Sequence, residues 1–159
     1  FRKPLIVMSP KSLLRHPECV SPLDAFESGE TFNEFYDDPQ VGEETGALRK
    51  VLMCTGKVYY DLLKRKKQNG HGDVAIVRLE QLYPFPKQYL ELLQNKYGNF
   101  AVTWVQEEPE NMGAWTYIRR LLPFPELPVV ARKASASPAT GFKKVHDKQQ
   151  EDLVNRAFS

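Results

Sequence analysis

Several classes of protein are excluded by what the sequence lacks. It has two cysteines, Cys19 and Cys54, which lie far apart, so we expect reduced thiols in an intracellular protein rather than a disulfide scaffold. No apolar run approaches the ~18 residues that a membrane span needs, and no signal peptide is visible. The 22 Lys and Arg against 20 Asp and Glu give a net charge of +2, without the basic excess of a nucleic-acid-binding domain. Because the chain opens at Phe1 and enters an apolar run almost at once, we expect a piece of a longer polypeptide.

Catalytic and metal-binding constellations are also missing. The three histidines, His16, His71 and His146, do not have the spacing of metal ligands. Glu107 and Glu108 are adjacent, and adjacent side chains of a strand point to opposite faces, so these two are not expected to act as an acid–base pair on one substrate. The sequence therefore predicts no complete catalytic apparatus within this chain.

Apolar runs and helical stripes alternate along the chain. Strands are predicted at residues 4–9, 49–55, 74–79, 100–105 and 129–131, and helices at residues 57–69, 86–97, 112–122 and 143–158. This alternation predicts an α/β fold with a mostly parallel sheet and helices on both faces. The basic run from Lys64 to Lys67 is expected to be a solvated last helical turn, at the negative end of the helix dipole.

The segment between the first two predicted strands has no sustained periodicity. Residues 19–48 are rich in Ser, Pro, Gly, Asp and Glu, which predicts a long connection. Aromatic side chains spaced through it are expected to hold it against a surface; they are Phe26, Phe32, Phe35 and Tyr36. We therefore divide the chain into residues 1–48, an entry strand with a long connecting segment, and residues 49–159, an α/β domain.

Two places in the sequence suggest contact with a ligand or partner. Residues 105–115 (VQEEPENMGAW) follow a predicted buried strand, and the carboxyl ends of strands are where α/β sheets form sites and interfaces. Gly56 and Lys57 join a strand to a helix, where backbone amides and a helix start attract anions. Lys11 and Arg15 lie near prolines and could bind a phosphate. Solvated turns are the alternative at all of these positions.

Five stretches of the sequence are distinctive: residues 2–17 (RKPLIVMSPKSLLRHP), 52–62 (LMCTGKVYYDL), 73–86 (DVAIVRLEQLYPFP), 104–115 (WVQEEPENMGAW) and 135–154 (SASPATGFKKVHDKQQEDLV). Together they cover most of the chain. In this order they resemble the C-terminal region of the decarboxylating, thiamine-diphosphate-dependent component of 2-oxoglutarate dehydrogenase complexes. Near Arg132 the chain has Ala131 and Lys133, where the family often has a glycine and a proline.

The resemblance implies a transketolase C-terminal-like fold, a three-layer α/β/α sandwich on a five-stranded, mostly parallel mixed sheet. It implies a full-length oxidoreductase of the tricarboxylic acid cycle that decarboxylates 2-oxoglutarate with thiamine diphosphate and magnesium. That enzyme would succinylate the lipoyl group of the succinyltransferase component of a multienzyme complex. No catalytic, cofactor-binding or metal-binding residue carries over onto this chain, which alone is predicted to be inactive.

The resemblance also implies contacts for particular residues. The chain would pack against the catalytic domains and a homodimer partner through Gln106, Glu107, Glu108, Asn111 and Trp115. Regulatory phosphate contacts would come from Lys11, Arg15 and Lys57. The location would be the cytoplasm in a bacterium or the mitochondrial matrix in a eukaryote. Two alternatives stay open: an autonomous adenine-nucleotide or acyl-CoA binding module, and the matching domain of a pyruvate or branched-chain 2-oxo acid dehydrogenase.

Overall fold

The computed structural model describes residues 2–27, 29, 31–39, 41, 48–98, 100–124 and 126–159. The chain forms two compact units, residues 1–32 and 33–159. The first unit contains two short 3₁₀ helices, Lys11–Leu13 and Leu23–Phe26. Among the described residues, no helix combines the length and the apolar character needed to cross a membrane.

The second unit is built on a sheet of five strands with helices on both faces. The strands are β1 (Phe35–Tyr36), β2 (Lys50–Cys54), β3 (Val74–Leu79), β4 (Ala101–Pro109) and β5 (Val129–Arg132), and the helices are α1 (Val58–Asn69), α2 (Gln88–Tyr97), α3 (Trp115–Leu121) and α4 (Lys143–Phe158). The strand order is β1-β3-β2-β4-β5. Strands β2 to β5 run parallel, and β1 pairs antiparallel with β3. The predicted α/β class and five-stranded mixed sheet are confirmed.

Alternation along the strands separates two apolar layers. Val51 and Met53 belong to a core that also contains Leu90 and Leu93 of α2 and residues of α3. Successive strand residues point to opposite faces, so Leu52 and Cys54, both fully buried, face the other layer. That layer holds α1 and α4, which contact each other. The result is the predicted three-layer arrangement.

The predicted first strand does not form within this chain. Residues 4–9 belong to no strand, and the fifth strand is instead β1, within the predicted connection. A two-residue strand has no periodicity to detect, whereas an apolar run signals a tendency to form a strand without identifying its partner. Phe35 packs on Tyr89 with ring centroids 4.2 Å apart, and Tyr36 lies 4.7 Å from the Arg78 guanidinium. These two aromatics hold the connection as expected, but Phe26 and Phe32 are exposed.

Two adjacent aspartates after β1 connect the two helical layers. Asp38 is buried and its Oδ2 lies 2.6 Å from the Lys66 ammonium of α1 and accepts the Ile76 N–H at 2.8 Å. Asp37 accepts hydrogen bonds from Lys96 and Tyr97 of α2. Neighbouring side chains of an extended segment point to opposite sides. The two aspartates therefore bind helices on opposite faces of the sheet, α1 through Asp38 and α2 through Asp37. We call Asp37 and Asp38 the edge clip.

The basic run at the end of α1 is not uniformly solvated as predicted. Lys66 is only 4% exposed, because it extends inward to Asp38 of the edge clip. Lys64 and Lys67 are exposed. The helix ends at Gly70, whose φ of +67° is left-handed and whose N–H bonds to the Lys66 carbonyl, a termination that favours glycine.

Candidate functional site

The carboxyl ends of the parallel strands meet at one edge of the sheet, and the predicted site residues of the second unit lie there. The chain leaves β2 toward β3 on one side and leaves β4 toward β5 on the other. Open α/β sheets bind ligands where the winding direction changes in this way. In this structure the change occurs between Gly56 and Lys57, which follow β2, and the last residues of β4.

Gln106 organises the loop that follows β4. Its side chain is 2% exposed. The amide oxygen accepts from the indole N–H of Trp104 at 3.0 Å and from the backbone N–H of Trp115 at 3.1 Å. The amide nitrogen donates to the carbonyls of Pro109 at 3.1 Å and Met112 at 2.8 Å. Both donor and both acceptor positions are therefore used, and the loop is fixed from inside.

Gly113 allows this arrangement. Its φ is +69°, and a Cβ placed there would lie 3.1 Å from Nε2 and Oε1 of Gln106. Both the left-handed backbone and the close approach favour glycine. The glycine before α3 is thus explained by the buried glutamine seven residues earlier.

A polar network fills the place where the winding direction changes. The Lys57 ammonium lies 2.7 Å from Glu107 Oε1 and 3.5 Å from Asp61 Oδ2. Gln150 of α4 donates to both carboxylates at 2.8 Å. Burial alone would lower the pKa of Lys57. The hydrogen bonds that Lys57 makes with Glu107 and Asp61, together with the negative charges of these two residues, outweigh burial and raise the pKa. Lys57 is consequently charged and paired with Glu107 and Asp61.

Arg132, at the end of β5, extends this network. The side chain is buried, and its Nη2 donates to Gln150 Oε1 at 2.9 Å and lies 3.4 Å from His146 Nδ1. Its Nε is buried and has no hydrogen-bond partner among the described residues. Gln150 therefore links Arg132 to Lys57 through Glu107. We call Lys57, Asp61, Glu107, Arg132 and Gln150 the strand-end network.

The loops after β4 and β5 are joined to each other. Asn111 Nδ2 donates to the Ser135 carbonyl, and the Ser135 N–H donates to Asn111 Oδ1, both at 3.0 Å. The Glu110 N–H also bonds to the Arg132 carbonyl at 2.9 Å. Next to these bonds lies a cavity of about 850 Å³ between the 133–140 loop and α4, whose lining includes Lys133 and Arg156.

The predicted interface residues differ in their exposure. Gln106 and Trp115 are buried within the chain's own second unit, and Glu107 is partly buried in the strand-end network. Glu108 and Asn111 are exposed. Glu108 and Asn111 are therefore the predicted interface residues that a partner could contact directly, whereas the buried Gln106 and Trp115 hold the loop in place.

The predicted phosphate contacts lie in different units. Lys11 and Arg15 are in residues 1–32, and Lys57 is in residues 33–159. Lys57 lines a cavity of about 410 Å³ that also borders Lys64 and Arg65. The i,i+4 spacing of Lys57 and Asp61 was a local signal for their pairing, but no local pattern indicated Gln150, which lies 43 residues from Glu107.

The remaining candidates for chemistry are metal-ligand clusters and the two cysteines. Across the described part of the chain, no three His, Cys, Asp or Glu side chains come together as metal ligands would. Both cysteines are free, with Cys19 exposed and Cys54 buried. Burial raises the pKa of the Cys54 thiol to about 12, so it carries little of the thiolate that a nucleophile needs.

Comparison with known proteins identifies the family. A family model described as 2-oxoglutarate dehydrogenase C-terminal matches residues 20–158. The chain is 47% identical over 166 residues to the "2-oxoglutarate dehydrogenase E1 component" of Rickettsia prowazekii. It is 41% identical over 172 residues to "2-oxoglutarate dehydrogenase, mitochondrial" of Caenorhabditis elegans, and 38% over 165 residues to the "Probable 2-oxoadipate dehydrogenase complex component E1 homolog" of Dictyostelium discoideum. These matches cover 99–100% of the chain but only 16–18% of the relatives. The chain therefore belongs to the 2-oxoglutarate dehydrogenase C-terminal family and is a C-terminal fragment of a longer protein.

Proposed function

We propose that the full-length protein is the decarboxylating component of a 2-oxoglutarate dehydrogenase complex, which uses thiamine diphosphate and magnesium. It would pass the succinyl group to the lipoyl arm of the succinyltransferase component. The family match over residues 20–158 carries this proposal. Relatives from a bacterium and from C. elegans bear the name 2-oxoglutarate dehydrogenase, the latter with the word mitochondrial. By analogy we assign the protein to the bacterial cytoplasm or the mitochondrial matrix.

The role proposed for this chain is non-catalytic. Following the resemblance, we assign thiamine diphosphate and magnesium to the rest of the polypeptide, and we derive no reaction step from this chain. Lys57 and Glu107 are engaged with each other, and Arg132 donates to Gln150. A network whose charges are paired in this way suits a rigid packing element.

We assign to the strand-end edge the packing against the catalytic domains and the homodimer partner. Gln106 fixes the loop, and the loop presents Glu108 and Asn111 to solvent. Tyr83, in the connection after β3, is 83% exposed. Interfaces are enriched in aromatic side chains, so we propose that Tyr83 also contacts a partner.

The catalytic proposal is tested by comparing two proteins. The full-length protein, supplied with thiamine diphosphate and magnesium, is expected to decarboxylate 2-oxoglutarate in an assay with an artificial electron acceptor. The 159-residue chain under the same conditions is expected to show no turnover. Parallel assays with 2-oxoadipate, pyruvate and a branched-chain 2-oxo acid distinguish the neighbouring activities. Turnover by the isolated chain, or preference of the full-length enzyme for another substrate, would reject the assignment.

A regulatory site for an adenine nucleotide or acyl-CoA is the second candidate. The cavity beside Lys57 also borders Lys64 and Arg65, which supply the charge that phosphate groups need. Lys11 and Arg15, the other two predicted phosphate contacts, lie in residues 1–32 and stay a separate proposal. A bound phosphate would have to compete with Glu107 for the Lys57 ammonium.

Titration calorimetry of the full-length protein with AMP and with acetyl-CoA tests this candidate. We expect measurable binding that Lys57→Met weakens about tenfold, the loss of one charge-assisted contact. Lys144→Met, at an exposed lysine of α4, serves as the control and leaves the affinity unchanged. Absence of binding heat at millimolar ligand rejects the site.

A further inference from the structure

Four consecutive apolar side chains of the first unit are exposed. Leu5, Ile6, Val7 and Met8 are 86%, 82%, 70% and 90% exposed, and residues 2–10 belong to no helix or strand. Single exposed apolar residues are ordinary, but a contiguous run marks a surface that another element covers.

The composition of the run identifies the kind of element that it would form. Ile6 and Val7 are β-branched, and Pro4 and Pro10 bound the segment. Between the prolines the apolar residues are consecutive rather than alternating. Alternation is typical of a strand with one solvated face, whereas an unbroken run is typical of a strand covered on both faces. Residues 4–9 have the length of an ordinary strand.

This segment lies outside residues 20–158, the region that the family model matches and that we call the C-terminal module. The family model begins at residue 20, whereas the matches to full-length relatives include 99–100% of the chain. Residues 1–19 are thus shared with the relatives but are not part of the module. The chain is 17% of the length of the R. prowazekii relative, so more than four fifths of such a protein lies outside it, and this chain is the C-terminal part.

We propose that residues 4–9 form a strand of a sheet belonging to the preceding part of the same polypeptide, with both faces covered there. The segment then anchors the C-terminal module to the body of the protein. It is joined directly to that preceding part, so its effective concentration there is high. Pairing between two copies of the segment would satisfy one edge of each strand and leave its faces exposed. This proposal rests on the family membership and not on the catalytic activity.

Hydrogen exchange of the full-length protein measures the proposed pairing directly. The amides of Ile6, Val7 and Met8 are expected to exchange at least ~100-fold more slowly than in an unstructured peptide. This protection is expected to be independent of protein concentration. Exchange at unstructured rates overturns the proposal. Protection that is lost on dilution to the monomer also overturns it, because the partner would then be a second copy.

Paired substitutions test whether both faces are covered. Ile6 and Val7 are adjacent, so in a strand their side chains point to opposite faces. In the full-length protein, Ile6→Asp and Val7→Asp are each expected to lower the thermal midpoint by several degrees. The control is Leu92→Asp, at a 54% exposed position of α2, which is expected to have a small effect. If either variant behaves like the control, the two-faced burial is wrong. If a variant fails to fold, wild-type exchange still decides the pairing.

Discussion

Replacing Asp38 by asparagine is expected to lower the free energy of unfolding of this chain by about 3–5 kcal/mol, the range for breaking a buried ion pair from one side. Asp38 and Lys66 are 2% and 4% exposed, and their charged atoms are 2.6 Å apart. Asparagine would leave the Lys66 ammonium buried without a counter-charge. The loss should be measurable as a lower urea midpoint in equilibrium unfolding.

The double variant distinguishes pairing from simple packing. Lys66→Met removes the opposite charge, and Asp38→Asn combined with Lys66→Met removes both. The double variant leaves no buried unpaired charge. Its loss of unfolding free energy should therefore be smaller than the sum of the losses of the two single variants. Additive losses would contradict the ion-pair explanation. Asp147→Asn is the control, since the Lys143–Asp147 pair is solvent-exposed and such pairs contribute only ~0–1 kcal/mol.

The partners of the edge clip could not be predicted from sequence patterns. Asp37 and Asp38 lie in a segment without periodicity, and their partners are 28 to 60 residues away. The basic run of α1 favoured a solvated turn, and only the folded position of Asp38 explains why Lys66 points inward. Apolar periodicity identifies the faces of strands and helices that are buried, but it carries no information about which distant polar groups meet at the edge of the sheet.

The bounds of strands and helices that bury an apolar face could be predicted from the sequence. Strand β3 and helix α4 have the predicted bounds. Strand β5 and helix α1 differ by one residue at one end, and β2 is shorter by one residue at each end. Strand β4 is longer than predicted because it continues with a register irregularity to Pro109, beyond the apolar run. That extension consists of Gln106, Glu107, Glu108 and a proline, so a hydrophobic pattern could not reveal it. Within that extension Glu107 is partly buried, whereas Glu108 is exposed.

Gln106→Met is expected to lower the free energy of unfolding by about 3–5 kcal/mol. Methionine has nearly the same length, so the main loss is the four hydrogen bonds rather than volume. The substitution removes the partners of the Trp104 indole N–H, the Trp115 N–H and the Met112 carbonyl, and each buried unpaired group costs roughly 1–3 kcal/mol. The Pro109 carbonyl loses one of two bonds, because it keeps the Met112 N–H at 2.8 Å. The apolar transfer of methionine offsets part of that sum. Urea unfolding followed by tryptophan fluorescence reports it, since Trp104 and Trp115 are the two tryptophans of the chain.

An exposed glutamine provides the matched comparison for this variant. Gln94→Met changes the same side chain at a solvent-exposed position of α2, where substitutions usually stay within about 0.5 kcal/mol. A loss below about 1 kcal/mol for Gln106→Met would mean that the loop does not depend on the buried amide.

The same variant separates the structural role of Gln106 from its proposed interface role. Gln106 has no exposed surface for a partner, but it holds the loop that presents Glu108 and Asn111. If that loop forms the homodimer contact, Gln106→Met in the full-length protein should weaken the dimer under conditions where the variant is still folded. Sedimentation across a dilution series measures this, and Glu108→Gln should weaken the dimer without lowering stability. A dimer unaffected by either variant would restrict the loop to packing within its own chain.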